Sequence, residues 1–197
     1  MKVLTAGTLG IWIICGGAIG VQADNGAATR DTVAAETSVA TMPDSTSIES
    51  TAPLAGRWRA SETTDEEKQR LEAIDEVTDH LGLFKRGRGR SRLKELTSPP
   101  PSLMIGVTGS KVTMDSGDRR LELELGGPPI EITGSQGTTR MSAKLDGQRL
   151  VVLARGDKGE RTASYRASGD ELTMRVVMTG DQLDGPLEYV TTYARME

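Results

Sequence analysis

The densest group of chemically active side chains is a basic run of ten positions in an otherwise acidic chain. Six of the ten residues are cationic, whereas the formal net charge of the 197 residues is -4. Such a run attracts anions, so it could contact nucleic acid, an anionic lipid or polysaccharide surface, or an anionic ligand at the mouth of a cavity. The candidate anion-binding residues are Lys85, Arg86, Arg88, Arg90, Arg92 and Lys94.

A fourth interpretation makes this run a solvated loop that balances the acidic stretch before it. Gly87 and Gly89 alternate with the cations and favour a mobile loop over residues 85–94. Aromatic residues that could stack on bases are absent between the cations, so nucleic acid is not expected as a partner. The acidic stretch contains Glu62, Asp65, Glu66, Glu67, Glu72, Asp75, Glu76 and Asp79.

Residues that could perform acid–base or metal chemistry are sparse. His80 is the one histidine, and it falls near the end of a predicted helix, where it suits the surface. The sequence contains no nucleophile elbow, no P-loop and no dinucleotide-binding glycine motif in the right context. We therefore expect no enzymatic activity, no metal site and no cofactor. The remaining candidate acids fall in predicted turns and are Asp157, Asp170, Glu171, Asp181 and Asp184.

Residues 1–23 have the order of a signal peptide: one lysine, an uncharged apolar run, and small residues at the cleavage position. We predict cleavage after Ala23 and an extracytoplasmic location, periplasmic or secreted. An uncleaved N-terminal membrane anchor is the alternative, because the apolar run is nearly long enough to span a bilayer. Cleavage would remove Cys15, the one cysteine, so no disulfide is expected.

Residues 24–55 are rich in Ala, Thr and Ser and contain few bulky side chains. Such a segment cannot bury enough apolar surface to offset the entropy of ordering it. We predict a disordered linker, either a spacer or a passive leader, followed by a folded domain over residues 56–197.

The folded domain begins with a short extended piece and one amphipathic helix. We predict the helix over Asp65–Leu81, with a capping box from Thr64 to Glu67 and a stop at Gly82. Its apolar residues recur at steps of three and four, which places them on one face. They are Leu71, Ile74, Val77 and Leu81.

Nine short segments between Ser102 and Glu197 read as β-strands separated by turn signals. Leu121, Leu123 and Leu125 alternate with glutamates and so share one face. Pro128 and Pro129 indicate an edge or a corner, because proline donates no ladder hydrogen bond. The predicted fold is mainly β: an antiparallel meander that forms a barrel or half-barrel, with one N-terminal amphipathic helix. A two-layer sandwich is the rival.

Gly56-Arg57-Trp58 resembles the G-x-W that opens the first strand of lipocalin and calycin barrels. The resemblance implies that a late arginine, here Arg195, packs over Trp58 and closes the barrel. The helix before the second strand and the absence of a disulfide depart from that family. The whole chain is also similar to small secreted bacterial proteins with a G-x-W start, a Gly/Arg-rich loop and a β-meander, which implies no particular activity.

The lipocalin resemblance implies non-enzymatic binding of a small apolar or amphiphilic molecule inside the barrel. A filled core would produce the same apolar stripes, so the sequence leaves a cavity and a solid interior open. The alternative function is contact with the cell envelope, in which the basic loop meets anionic lipid, polysaccharide or a partner protein. The chain is expected to be a monomer.

Overall fold

The computed structural model describes residues 53–117, 119–134 and 137–197. The predicted signal peptide, and the predicted linker as far as residue 52, lie outside the described residues. The helices are α1 Thr64–Thr78 and α2 Leu83–Thr97. The strands are β1 Gly56–Ala60, β2 Ser102–Thr108, β3 Lys111–Asp115, β4 Arg120–Glu124, β5 Ile130–Gly134, β6 Gly137–Asp146, β7 Arg149–Gly156, β8 Gly159–Ser168, β9 Glu171–Gly180 and β10 Leu187–Met196.

All ten strands form one antiparallel sheet in the order β4-β3-β2-β1-β10-β9-β8-β7-β6-β5. The sheet curls until the end of β4 reaches β6. A bridge joins Leu125 to Ala143 there, and the Gly126 N–H donates to the Ala143 carbonyl at 2.8 Å. The result is a nearly closed barrel, not a sandwich. Pro128 and Pro129 precede β5 at the edge of the sheet, as predicted.

Alternation along the strands separates an apolar interior from a charged exterior, as the period of two predicts. Leu123 is buried, whereas Glu122 and Glu124 on either side of it are exposed. Exposed ion pairs join neighbouring strands on the outer face, such as Arg175 with Glu188 at 2.7 Å. The predicted fold class, a mainly β antiparallel meander that forms a barrel or half-barrel, is confirmed, with one helix more than predicted.

Helix α1 covers one end of the barrel, with Ile74 and Val77 buried against the sheet. Its capping box is one residue earlier than predicted. The Thr63 hydroxyl accepts from the Glu66 N–H at 3.2 Å, and the Glu66 carboxylate accepts from the Thr63 N–H at 2.8 Å. The helix ends at Thr78, so the predicted extension to Leu81 is wrong.

The predicted basic loop 85–94 is wrong, because this segment lies inside helix α2. Tertiary packing outweighs the poor helix propensity of the glycines. Leu93 and Thr97 are buried, and Arg90 pairs with Asp75 of α1 at 2.6 Å. Gly89 permits close packing, since a Cβ atom there would lie 3.3 Å from a methyl group of Leu81.

A polar cluster also fixes α2 over the barrel. The buried Arg70 of α1 donates to both carboxylate oxygens of Glu62, at 3.0 and 3.1 Å, and to the Thr97 hydroxyl at 3.4 Å. These bonds connect the β1–α1 turn, α1 and the end of α2. Neither of the helices described here is long and apolar enough to cross a bilayer.

Candidate functional site

The barrel interior is partly filled and partly open. Side chains around Trp58 and Tyr193 pack one part solidly, and both residues are fully buried. The other part holds a cavity of about 90 Å³ between the sheet and the end of α2. Its wall consists of Leu96, Pro100, Leu103, Met114, Ser116, Arg119, Leu121, Thr139, Met141, Val152, Ala154, Arg161, Tyr165, Met174 and Met178.

Four methionines give this cavity an adaptable wall. Met114 comes from β3, Met141 from β6, and Met174 and Met178 from β9. Each is on the inward side of its strand, where alternation places every second residue. Methionine is unbranched and flexible, so these side chains can rearrange around guests of different shape.

The polar part of the wall is centred on Arg161 and Tyr165. They are four residues apart on β8, so both point inward, and they are only 7% and 4% exposed. Burial raises the pKa of Tyr165 above its ordinary value, and the neighbouring charge of Arg161 partly opposes that increase. The phenol therefore stays neutral at physiological pH, whereas the guanidinium is charged.

The charged side chains that line the cavity are both cations. Arg119, from the β3–β4 connection, is the second cation, and among the described residues no carboxylate lines the cavity. Thr139 and Ser116 add hydroxyl groups. An apolar cavity with two guanidinium groups suits a guest that combines hydrocarbon with negative charge.

Tyr193 is fully buried but does not line the cavity. Burial, chiefly, together with the nearby Tyr165 and Tyr189, raises its pKa far above the ordinary range. Its hydroxyl has no hydrogen-bond partner among the described residues.

The six predicted anion-binding residues lie on α2 and do not line this cavity. Arg86 pairs with Asp79, and Arg90 pairs with Asp75, so these two cations balance acids of α1. Lys85, Arg88, Arg92 and Lys94 are exposed. The structure therefore distributes the basic run over two faces of a helix, and the proposed role of its exposed residues in anion binding stays a prediction.

The two residues predicted to close the barrel are in contact. The guanidinium carbon of Arg195 lies 4.2 Å from the centroid of the Trp58 ring. Trp58 and Arg195 are also register partners in the pairing of β1 with β10. Packing begins before Gly56, because Leu54 is buried and its carbonyl accepts from the Trp58 indole N–H at 3.1 Å.

The candidate acid–base residues do not assemble a site. His80 is exposed beyond the end of α1. No group of three metal-ligating side chains occurs within residues 53–117, 119–134 and 137–197. The candidate carboxylates Asp157, Asp170, Glu171, Asp181 and Asp184 are all exposed. Four of them lie in turns as predicted, whereas Glu171 is the first residue of β9.

Sequence reasoning missed Arg161, the most buried cation of the barrel wall. In the segment from Arg161 to Arg166 each of the two alternating faces carries one arginine, so the charges by themselves do not show which face is inside. The available signal was Ala163 and Tyr165, whose apolar character at spacings of two and four from Arg161 indicates the inward face.

No protein-family model and no curated protein sequence matches this chain. Similar solved structures include small binding and transport proteins. A Schistosoma mansoni fatty acid binding protein in complex with arachidonic acid is 18% identical, with a TM-score of 0.45, covering 75% of this chain and 99% of that chain.

Two further structures are similar to the same extent. Zebrafish ileal bile acid-binding protein complexed with cholic acid is 14% identical, with a TM-score of 0.45, covering 74% of this chain and 100% of that chain. The REP1-NXSQ fatty acid transporter is 15% identical, with a TM-score of 0.46, covering 74% of this chain and 98% of that chain. At this similarity, function has to be inferred from the chain's own interior.

Proposed function

We propose that this domain is a non-enzymatic binding protein that takes a small anionic amphiphile into its barrel. The observation that carries the proposal is the cavity of about 90 Å³, whose wall is apolar except for a few polar groups and includes the buried Arg161. The hydrocarbon part of a guest would contact the leucines and methionines. Its acidic group would face Arg161.

Both parts of such a guest are stabilised in this cavity. Burying hydrocarbon contributes about 25 cal/mol for each Å² removed from water. A guanidinium offers paired N–H donors that match the two oxygens of a carboxylate or phosphate. The surrounding apolar wall lowers the local dielectric and strengthens that attraction.

The cavity volume limits the guest. An engineered apolar cavity of about 150 Å³ binds benzene, and this cavity is smaller. A short or slender hydrocarbon chain therefore fits best, and longer chains require Met114, Met141, Met174 or Met178 to change rotamer.

Calorimetry on the delipidated protein tests this proposal with straight-chain carboxylates from hexanoate to palmitate and with the matching alcohols. We expect saturable binding of carboxylates and weaker binding of alcohols. Arg161→Gln should weaken carboxylate binding at least about tenfold and should change alcohol binding little, since truncating a buried charge pair is costly.

Arg166→Gln is the matched control, because Arg166 is an exposed residue of the same strand. It should bind both series as the wild type does. The proposal fails if the delipidated protein shows no saturable binding, or if Arg161→Gln and Arg166→Gln bind carboxylates equally well.

A second candidate function is contact with an anionic envelope surface through helix α2. The observation that favours it is the exposure of Lys85, Arg88 and Lys94 on a helix that the Arg90–Asp75 pair holds against α1. Polybasic segments gain about 1 kcal/mol for each cation near an anionic surface. The pairing of Arg86 and Arg90 with α1 reduces the number of cations available for such contact.

Export is part of the proposal, on the strength of the N-terminal pattern of residues 1–23. Mass spectrometry of the protein purified from its own cells should show a mature N-terminus at Asp24. An intact residue 1–23 segment in a membrane fraction would instead support the anchor.

A further inference from the structure

A second, smaller groove lies beside the two helices, next to the β7–β8 and β9–β10 turns. Its volume is about 80 Å³. Helix α2, the end of α1 and the β7–β8 and β9–β10 connections surround it. The lining residues that matter below are Arg92, Leu96, Lys158, Met178 and Leu183.

This groove is also apolar with cationic residues in its wall. Arg92 contributes one charge from α2, and Lys158 contributes the other from the β7–β8 turn. Lys85 and Arg88 lie on the same side of α2 as Arg92, because spacings of three and four residues place side chains on one helical face. The acids of the β9–β10 connection, Asp181 and Asp184, are exposed and outside the lining of the groove.

Two side chains line both the groove and the inner cavity: Leu96 of α2 and Met178 of β9. They therefore form a shared partition. Met178 is flexible, and Leu96 is only partly buried near the end of α2. A rotamer change in either side chain would therefore alter the wall of both spaces.

We propose that this groove is the entrance through which the anionic amphiphile reaches the cavity. This inference rests on the proposed function. Arg92 and Lys158 attract the acidic group of the guest, and the apolar wall of the groove takes its hydrocarbon part. The guest then passes Leu96 and Met178 and reaches Arg161.

An entrance of this kind affects rates more than equilibrium affinity. Cations at the mouth of a site accelerate the association of an anion, and salt screens the effect. A bulky side chain in the path slows association and dissociation by the same factor. It raises the barrier between the free and the bound guest without contacting the guest in either state.

The first test measures the association of decanoate with the full protein by stopped flow at low and high ionic strength. Displacement of a fluorescent probe supplies the signal. We expect Lys158→Gln to lower the association rate constant about threefold at low salt, with the difference vanishing at high salt. Lys144→Gln is the matched control, because Lys144 is an exposed residue of β6 outside the groove. Equal rates for the two variants would overturn the inference.

The second test fills the groove without touching the inner cavity. Leu183 lines the groove alone, so Leu183→Trp should slow association and dissociation by the same factor and leave the dissociation constant unchanged. Val190→Trp, at an exposed position of β10, is the control for adding an indole. A raised dissociation constant with unchanged association would overturn the inference, because it identifies the groove as a binding site and not an entrance.

The two proposals fail in different ways. If Arg161→Gln weakens carboxylate binding while Lys158→Gln and Leu183→Trp leave the rates unchanged, the interior binds the amphiphile and the groove is not its entrance. If the wild type shows no saturable carboxylate binding, both proposals are wrong.

Discussion

Arg195 covers the indole of Trp58, with 4.2 Å between its guanidinium carbon and the centroid of the ring. The same guanidinium donates to the carbonyl of Ala55 at 3.0 Å and to that of Pro53 at 2.7 Å. One side chain of the last strand therefore holds both the first strand and the segment before it. This contact joins the two ends of the described domain.

Gly56 makes this arrangement possible. Its φ is 149°, a backbone conformation that favours glycine. A Cβ atom at this position would lie 2.6 Å from a guanidinium nitrogen of Arg195. The glycine and the tryptophan of the G-x-W motif thus each have a physical role at the contact.

Removing the Arg195 guanidinium should destabilise the domain. We expect Arg195→Gln to lower the free energy of unfolding by about 1–3 kcal/mol, through loss of the cation–π contact and of hydrogen bonds from a charged donor. Urea unfolding measures the change. Arg166→Gln, at an exposed position on β8, should stay within about 0.5 kcal/mol of the wild type. Equal stability of the two variants would contradict a closing role for Arg195.

The buried tyrosines should make stability fall at alkaline pH. Burial raises the pKa of Tyr193 and Tyr165 in the folded state, whereas the unfolded chain releases these protons near pH 10. Stability is therefore complete below about pH 10 and decreases above it, by up to about 1.4 kcal/mol per pH unit for each tyrosine. Urea unfolding at pH values on both sides of 10 measures the slope.

Tyr193→Phe separates this effect from packing. Its hydroxyl has no hydrogen-bond partner among the described residues, so the variant should be nearly as stable as the wild type at pH 7. Above pH 10 its stability should decline less steeply. An unchanged alkaline slope would show that the Tyr193 proton does not contribute.

The paired and the exposed cations of α2 should respond differently to neutralisation. Replacing Arg86 and Arg90 with Gln removes the ion pairs with Asp79 and Asp75 and should reduce stability by about 1 kcal/mol. This variant should weaken binding to phosphatidylglycerol vesicles less than neutralising the exposed cations of α2 does. Sedimentation with vesicles, together with urea unfolding, measures both properties.

Replacing Lys85, Arg88 and Lys94 with Gln is the complementary variant, because these residues are exposed. It should leave stability unchanged and weaken vesicle binding by about 1 kcal/mol for each charge removed, most clearly at low salt. If the wild type does not sediment with anionic vesicles, α2 has no role at an anionic surface.

The strands could be predicted because their signal is local. A period of two puts Leu121, Leu123 and Leu125 on one face whatever the rest of the chain does, and turn residues mark the ends. The Trp58–Arg195 pair was accessible only through resemblance, since the two residues are far apart in sequence. The cap of α1 was ambiguous because Thr63 and Thr64 each precede a glutamate by three residues, and only the backbone geometry distinguishes them.

By itself the sequence determined a β-meander with an acidic helix near its start, because period, turn chemistry and caps act over a few residues. Tertiary structure alone decided that residues 83–97 are helical, because ion pairs with Asp75 and Asp79 and the burial of Leu93 offset the poor helix propensity of the glycines. It also decided that the inward face of β8 borders a cavity, so that Arg161 lies in its wall. Burial depends on strands that are distant in sequence, and no local pattern encodes their approach.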